Sequence, residues 1–441
     1  MEPRKQTADH RGIEAYRGSL LDFTDDPATS TDPSSGVRFI EDGLLLIQDQ
    51  RILASGPTPQ LSQSYPELEP TDYRGKLILP GFIDCHLHYP QMAIIGSYGE
   101  ALLPWLERYT FPAESRFAHS AHCTMMAELF VQELLRNGTS TALVMASSHP
   151  QGVESLFAAA ERRGMRLISG LTMMDRGAPS ELLLSPEKSR QEASKLIKRW
   201  HKHGRLSYAI SPRFALTSTR EGLRAAAALR QEFPDTLLHT HLAENTQELA
   251  RVAELFPEAR NYLDVYRQAG LVGPGSVFAH GIHLSEEEHH CLAENRATLV
   301  HCPSSNLFLG SGLCNVAEAL RRGITVGLGS DVGAGTSFSL LKTMAEAYKI
   351  STFHRSPSQG PLSPFQAFYM ATLGGAKCLG LDQVIGNFTP GKEADFIVLD
   401  PRATPIQALR CEGEPALEEL LFSLLILGDD RSVVRTHIAA D

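Results

Sequence analysis

Short apolar runs rich in β-branched residues recur through the middle of the chain, and each is followed by a stretch with apolar residues three or four positions apart. Residues 126–134 illustrate the second kind of stretch, which is typical of an amphipathic helix. The apolar runs span residues 81–88, 140–147, 165–172, 206–213, 236–244, 276–284, 297–306 and 324–331. This alternation predicts an α/β protein built on a (β/α)8 barrel of the TIM type, in which the loops after the strands share one mouth.

The segments on either side of the barrel have a different pattern. Residues 43–53 and 394–400 resemble strands of a hairpin-rich sheet. We therefore expect one small β-sandwich domain built from both ends of the chain, with residues 1–78 and 383–441 flanking a barrel over 79–382. Residues 26–35 are predicted to form a loop.

Composition and charge narrow the possible partners. The chain has 441 residues, with 41 Lys and Arg against 51 Asp and Glu, and a formal net charge of −10. An acidic protein without a basic run is a poor binder of nucleic acid.

No apolar stretch is long enough for a membrane span or a signal peptide, which predicts a cytoplasmic location. The seven scattered cysteines predict buried free thiols rather than disulfides or a thiolate zinc site.

Polar residues lie where several of the predicted strands end, and in a barrel such positions meet at the mouth. The set comprises His86, His88, His239, His241, Glu244, His280 and Asp331. Each alone has an ordinary explanation: a His-x-His pair often packs inside a strand, Glu244 suits a helix N-terminus, and Asp331 suits a turn. Their coincidence at one rim predicts a metal site, with zinc favoured and ferrous iron also compatible.

Several sequence strings resemble the amidohydrolase superfamily. They are 80–88 (PGFIDCHLH), 241–245 (HLAEN), 280–281 (HG), 329–331 (GSD) and 391–395 (GKEAD). Further strings resemble the guanine deaminase branch of that superfamily: 88–91 (HYPQ), 105–114 (WLERYTFPAE), 212–214 (PRF) and 301–307 (HCPSSNL). The likeness extends from about residue 40 to about residue 430.

The resemblance implies one Zn²⁺ per subunit, held by His86, His88, His241 and Asp331. It further implies that Glu244 and His280 handle protons, together with Asp331 as ligand and base. His239 and His301 match positions that are not ligands, and His301 is expected to be structural or to support a ligand from behind. The predicted fourth strand ends at Arg213 without the lysine that bridges two metals in some relatives, so a single metal is expected.

The implied reaction is hydrolytic deamination of guanine to xanthine and ammonia. A guanidinium fits the carbonyl and ring nitrogen on one edge of guanine, so Arg213 is the candidate for recognising them. Gln91 is expected to read the sugar edge and Phe214 to lie against the purine face. The expected metal ligands His88, His241 and Asp331 and the proton-transfer residue Glu244 are expected to contact the substrate as well.

Two other readings stay open at this level. A related enzyme acting on a triazine, a pterin or an adenosine derivative would share the metal site, and a barrel that has lost catalysis would serve as a binding protein. The complete set of polar residues disfavours the second reading. The resemblance also implies a homodimer. The aromatic segment 97–116 is expected to form a lid or wall of the site, or alternatively a dimer contact.

Overall fold

A computed structural model describes residues 12–27, 34–354 and 360–440. Residues 28–33 of the predicted loop and the N-terminal residues 1–11 lie outside these ranges. The strands are β1 (Ile13–Phe23), β2 (Val37–Gln48), β3 (Arg51–Pro57), β4 (Thr71–Pro80), β5 (Phe82–His88), β6 (Thr139–Met145), β7 (Arg166–Gly170), β8 (Thr172–Met173), β9 (Leu206–Pro212), β10 (Leu237–Leu242), β11 (Ser276–His280), β12 (Thr298–His301), β13 (Val326–Leu328), β14 (Phe396–Leu399) and β15 (Val433–His437).

Helices follow most of the central strands and cover the outside of their sheet. They are α1 (Thr58–Ser64), α2 (Leu102–Trp105), α3 (Phe111–Ser115), α4 (Ser120–Arg136), α5 (Pro150–Arg162), α6 (Pro186–Trp200), α7 (Arg220–Glu232), α8 (Thr246–Leu255), α9 (Tyr262–Gln268), α10 (Glu286–Glu294), α11 (Pro303–Phe308), α12 (Val316–Arg321), α13 (Leu340–Ser351), α14 (Pro364–Met370), α15 (Leu373–Cys378), α16 (Pro405–Arg410) and α17 (Leu417–Leu427). In the described residues, no helix has the length and apolar character needed to cross a membrane.

The central strands form the predicted barrel. Their order is β5, β6, β7, β9, β10, β11, β12 and β13, every neighbouring pair is parallel, and the two-residue β8 pairs with β9. Each of the eight predicted runs overlaps one of these strands. The (β/α)8 prediction is therefore confirmed.

The two ends of the barrel sheet meet just beyond the last strand. The backbone N–H of Asp331 donates to the carbonyl of His86 at 2.9 Å, and the N–H of His88 donates to the carbonyl of Val332 at 2.7 Å. These bonds join β5 to the loop after β13. They also place the side chain of Asp331 beside the two histidines of β5.

Strands from both ends of the chain form a second, separate sheet. Its order is β15, β14, β4, β1, β2 and β3, with β1 and β4 parallel and the other pairs antiparallel. The expected small β domain from both termini is confirmed, and its strands belong to one hydrogen-bonded sheet. The exact domain boundaries at 78/79 and 382/383 stay predictions.

An ionic cluster with only small exposed fractions at its side chains links the base of the barrel to this sheet. Arg205 donates to Glu393 at 3.0 Å, to the carbonyl of Gly164 at 2.8 Å and to Asp395. Arg166 donates to the same Glu393 at 2.6 Å. The carbonyl of Asp395 accepts from the backbone N–H of Gly81 at 3.0 Å, directly before β5. The string at 391–395 therefore supports the strand that carries His86 and His88.

All seven cysteines are free, and six of them are buried. Cys291 is half-buried, which departs slightly from the expectation of buried thiols. Cys85, Cys302 and Cys378 pack together with aliphatic residues in one apolar cluster inside the barrel. This packing is the usual behaviour of free cysteine, which acts as a small apolar residue in a protein core.

Candidate metal centre and active site

Three imidazoles and one carboxylate converge at the barrel mouth. His86 Nε2 and His88 Nε2 lie 3.2 and 3.3 Å from Asp331 Oδ1. His88 Nε2 lies 3.1 Å from His241 Nε2. One ligand atom from each of the three histidines falls within 4.8 Å of the others. All four side chains are buried, and the structure brings their potential ligand atoms together at one rim of the barrel.

Hydrogen bonds and burial determine the tautomer and the protonation state of these imidazoles. The ring Nδ1–H of His241 donates to the carbonyl of Arg213 at 2.6 Å, so Nε2 is left with its lone pair toward His88. His86 Nδ1 lies 2.6 Å from His239 Nε2, so the other ring nitrogen of His86, Nε2, faces Asp331. Burial lowers the pKa of His86 to about 4 and the pKa of His241 well below its usual value. Neutral imidazole is the form that binds metals.

The donor set fits zinc. Nitrogen ligands from three histidines with one carboxylate oxygen suit a borderline divalent cation. His86 Nε2 and His280 Nε2 are buried and have no hydrogen-bond partner among the described residues. Burial alone would raise the pKa of Asp331, but His86 and His88 outweigh burial and lower it well below its usual value. An ionised carboxylate facing unpartnered imidazole nitrogens is an arrangement that a cation would complete.

The histidines predicted to be non-ligands lie outside the converging atoms. His239 contacts His86 through its Nε2, and its Nδ1 has no partner in the described part of the chain. His301 is buried with both ring nitrogens unpartnered among those residues, and burial lowers its pKa to about 3. Neither belongs to a group of candidate ligands.

The sequence reasoning missed Cys302. One ligand atom from each of Cys302, His86, His280 and Asp331 lies within 4.8 Å of the others. Burial raises the pKa of the Cys302 thiol well above its usual value, which keeps the thiol protonated. No sequence pattern indicates this proximity, because a lone cysteine after a strand has the pattern of an ordinary buried thiol.

Glu244 and His280 face the same centre. Glu244 Oε2 lies 3.5 Å from His280 Nε2, and His280 Nε2 lies 3.8 Å from Asp331 Oδ2. The ring Nδ1–H of His280 donates to Asn306 Oδ1 at 2.9 Å, which leaves Nε2 as an acceptor. Burial, followed by the charge of Asp331, raises the pKa of Glu244 to about 8. Glu244 is thus suited to carry a proton at neutral pH.

Backbone conformation at the mouth is unusual. Ala243, His280 and Asp331 have φ values of 49°, 75° and 50°, in the left-handed region that side chains other than glycine seldom adopt. Each follows or ends a barrel strand. Such residues concentrate at functional sites, where the surrounding structure holds them in place.

A partly open cavity lies beside these groups. The residues predicted to contact the substrate all line it: His88, Gln91, Arg213, Phe214, His241, Glu244 and Asp331. His280 lines it too, and Leu102, Trp105 and Leu106 of segment 97–116 form one apolar wall. This segment therefore builds part of the cavity, while Tyr98 within it is 82% exposed.

Glu114 is a second residue that sequence reasoning did not single out. It accepts two hydrogen bonds from Nη1 of Arg213, at 2.8 and 2.7 Å, and one from Nε2 of Gln91 at 3.0 Å. Both side chains of the Arg213–Glu114 pair are at least 96% buried. The string 105–114 contained this residue, but no local pattern connects it to partners that are distant in the sequence.

A closed parallel barrel with imidazole and carboxylate groups at its mouth defines a class of metal-dependent hydrolases. The family model described as "Amidohydrolase family" matches residues 77–438, and the chain belongs to this family. The resemblance inferred from the sequence strings is thereby confirmed.

Individual relatives narrow the comparison. The chain is 50% identical over 428 residues to the guanine deaminase of Escherichia coli (strain K12), covering 97% of this chain and 96% of that protein. It is 34% identical to the guanine deaminase of Homo sapiens over 82% of each. Among solved structures, E. coli guanine deaminase has a TM-score of 0.93 at 49% identity, with 97% and 98% of the two chains covered. A guanine deaminase from C. acetobutylicum with bound guanine has a TM-score of 0.88 at 30% identity, covering 97% and 99%.

Proposed function

We propose that this protein is a guanine deaminase that uses one zinc ion per subunit to hydrolyse guanine to xanthine and ammonia. One observation carries the proposal: Glu244 and Asp331 line the same cavity as Gln91 and Arg213, the two residues proposed to recognise the purine. The similarity to characterised guanine deaminases over nearly the whole chain supports the same substrate.

The metal would be held by His86, His88, His241 and Asp331, whose ligand atoms face one another at the barrel mouth. When bound there, zinc supplies a Lewis acid that makes water a good nucleophile near neutral pH. His239 and Asn306 would keep the neighbouring imidazoles in orientation through their hydrogen bonds.

Substrate recognition would use the edge and the face of the purine. The guanidinium of Arg213 donates to acceptors, and guanine presents a carbonyl oxygen and a ring nitrogen side by side. Adenine lacks that oxygen and would leave a buried donor unsatisfied, at a cost of about 1–3 kcal/mol. Phe214 and the apolar wall of Leu102 and Trp105 would pack against the ring.

Proton transfers would be divided among three side chains. Water adds to C2 of guanine while Asp331 accepts a water proton, and His280 Nε2, held as an acceptor by Asn306, orients the attacking oxygen. Glu244 gives its proton to the adjacent ring nitrogen, so the ring does not accumulate negative charge. Glu244 then takes the proton of the added hydroxyl and passes it to the amino group, which leaves as ammonia as the C2–N bond breaks and the C2 carbonyl of xanthine forms. The proton held by Asp331 returns to Glu244 and restores the starting state.

The wider biological setting follows from the same proposal. The reaction would serve purine catabolism or salvage. A homodimer remains a prediction from the resemblance, and a cytoplasmic location remains a prediction from the sequence.

The test is turnover of guanine by purified protein, followed by loss of guanine absorbance and release of ammonia, with zinc per chain determined on the same sample. We expect rapid deamination, about one zinc per chain, and a fall of about 10²–10⁴ in rate for Glu244→Gln with zinc retained. Glu128→Gln, an exposed glutamate on α4 that pairs with Arg162, is the matched control and should keep full activity.

Other outcomes would change the conclusion in defined ways. If the protein binds zinc and converts a triazine or a pterin but not guanine, the proposed substrate is wrong and the proposed metal site stands. Absence of both zinc and turnover would favour a binding protein. Full activity in Glu244→Gln would remove this residue from the proton-transfer role.

A further inference from the structure

Glu114 does not line the cavity, but it contacts two residues that do. The residues that line the cavity include Gln91 and Arg213 but not Glu114. Its carboxylate nevertheless binds both of them, accepting from Arg213 Nη1 at 2.7 and 2.8 Å and from Gln91 Nε2 at 3.0 Å. One buried group therefore holds the two side chains that would read the purine edge.

A purely structural role explains this arrangement poorly. Burying an arginine and a glutamate costs desolvation that their attraction barely repays, and apolar residues of similar volume often stabilise a fold as well or better. The apolar ring of Phe111, in the same short helix as Glu114, lies against the Arg213 guanidinium, with 5.8 Å between the ring centroid and Cζ of Arg213. A need to fix the orientation of the Arg213 and Gln91 side chains explains a buried charged pair at this position better than stability does.

The chemistry of a carboxylate fixes the orientation of Gln91. An ionised carboxylate only accepts hydrogen bonds, so it selects the amide nitrogen of Gln91 and leaves the amide oxygen free for another partner. A glutamine at position 114 would lose this selection, because its own amide both donates and accepts. The same carboxylate holds Arg213 Nη1, so the remaining guanidinium donors are presented in one fixed plane.

We propose that Glu114 is a positioning residue that sets substrate specificity: it holds Gln91 as an acceptor and Arg213 as a donor, and so matches the site to a purine that carries a carbonyl next to ring N–H groups. This inference rests on the proposed guanine deaminase function. It predicts that Glu114 controls discrimination between purines more than it controls the chemical step.

The experiment compares two purines in wild type and in Glu114→Gln. The KM for guanine is measured together with the inhibition constant of 2-aminopurine, which keeps the 2-amino group but lacks the carbonyl oxygen. We expect the KM for guanine to rise about 10-fold or more, while the inhibition constant of 2-aminopurine changes less than about threefold. Glu114→Asp, which keeps the charge but retracts it, should shift the ratio in the same direction and guards against a variant that does not fold.

Asp22→Asn is the matched control, because Asp22 is an equally buried carboxylate in a bidentate pair with Arg38, within the small β domain. It should leave the ratio of the two constants unchanged. If the Glu114 variants bind both purines more weakly by the same factor, the site has lost order as a whole and the inference is overturned. Unchanged constants for both purines would overturn it as well. Failure of the wild type to deaminate guanine would instead overturn the proposed function.

Discussion

The ionic cluster between the barrel and the small sheet predicts a large loss of stability in Arg205→Ala. The Arg205 side chain is only 14% exposed and donates to Glu393, Asp395 and the carbonyl of Gly164. Its removal leaves Asp395, whose side chain is 2% exposed, with the backbone N–H of Ala439 as its remaining donor among the described contacts. Breaking a buried ion pair in this way costs about 3–5 kcal/mol.

The measurement is urea unfolding followed by tryptophan fluorescence. Both tryptophans, Trp105 and Trp200, lie in the barrel, so the signal reports on the part of the protein that the cluster supports. Arg162→Ala removes an exposed pair with Glu128 and should change stability by no more than about 0.5 kcal/mol. A loss below about 1 kcal/mol in Arg205→Ala would refute the view that this cluster joins the two sheets.

Three further predictions concern pH, metal and proton transfer. Burial would raise the pKa of Glu393, but Arg166 and Arg205 outweigh burial and lower it. The stability that the ionised Glu393 contributes should therefore be present above the unfolded pKa of about 4.3 and be lost as the pH falls through the lower folded pKa. Melting temperatures measured across the acid range check this. Chelation of the metal should lower the melting temperature, since a ligand at about 1,000 times its dissociation constant adds about 4 kcal/mol; an unchanged melting temperature would contradict tight binding at His86 and its neighbours. Asn306→Ala frees the tautomer of His280 and should lower kcat about 10²-fold with KM little changed, whereas a rise in KM alone would assign Asn306 to substrate binding.

The barrel could be predicted because its signal is local and repeated. Eight apolar runs separated by amphipathic stretches allow few other topologies, and polar residues at strand ends meet wherever parallel strands close into a ring. The strands are shorter than the runs at the mouth: the runs 236–244 and 276–284 yield strands that end at Leu242 and His280. The left-handed conformations of Ala243 and His280 explain the difference, because they turn the chain out of the sheet.

The contacts of Glu114 and Cys302 could not be predicted, for a physical reason. Glu114 meets Arg213 across 99 positions of sequence, and Cys302 comes near His86 only through the closed barrel. Neither residue lies in a repeating pattern that marks one face of a helix or strand. Residues defined by such distant contacts become recognisable only when the whole tertiary structure is known.

The closure of the barrel has a consequence for how the protein is made. His86 and Asp331 are brought together by backbone bonds between the first strand and the loop after the last, and more than half of the chain separates them. During synthesis from the N-terminus, three histidines therefore leave the ribosome well before the carboxylate that completes their set. The proposed set of metal ligands would therefore be complete only after the last barrel strand has docked, which would couple metal binding to the closing step of folding.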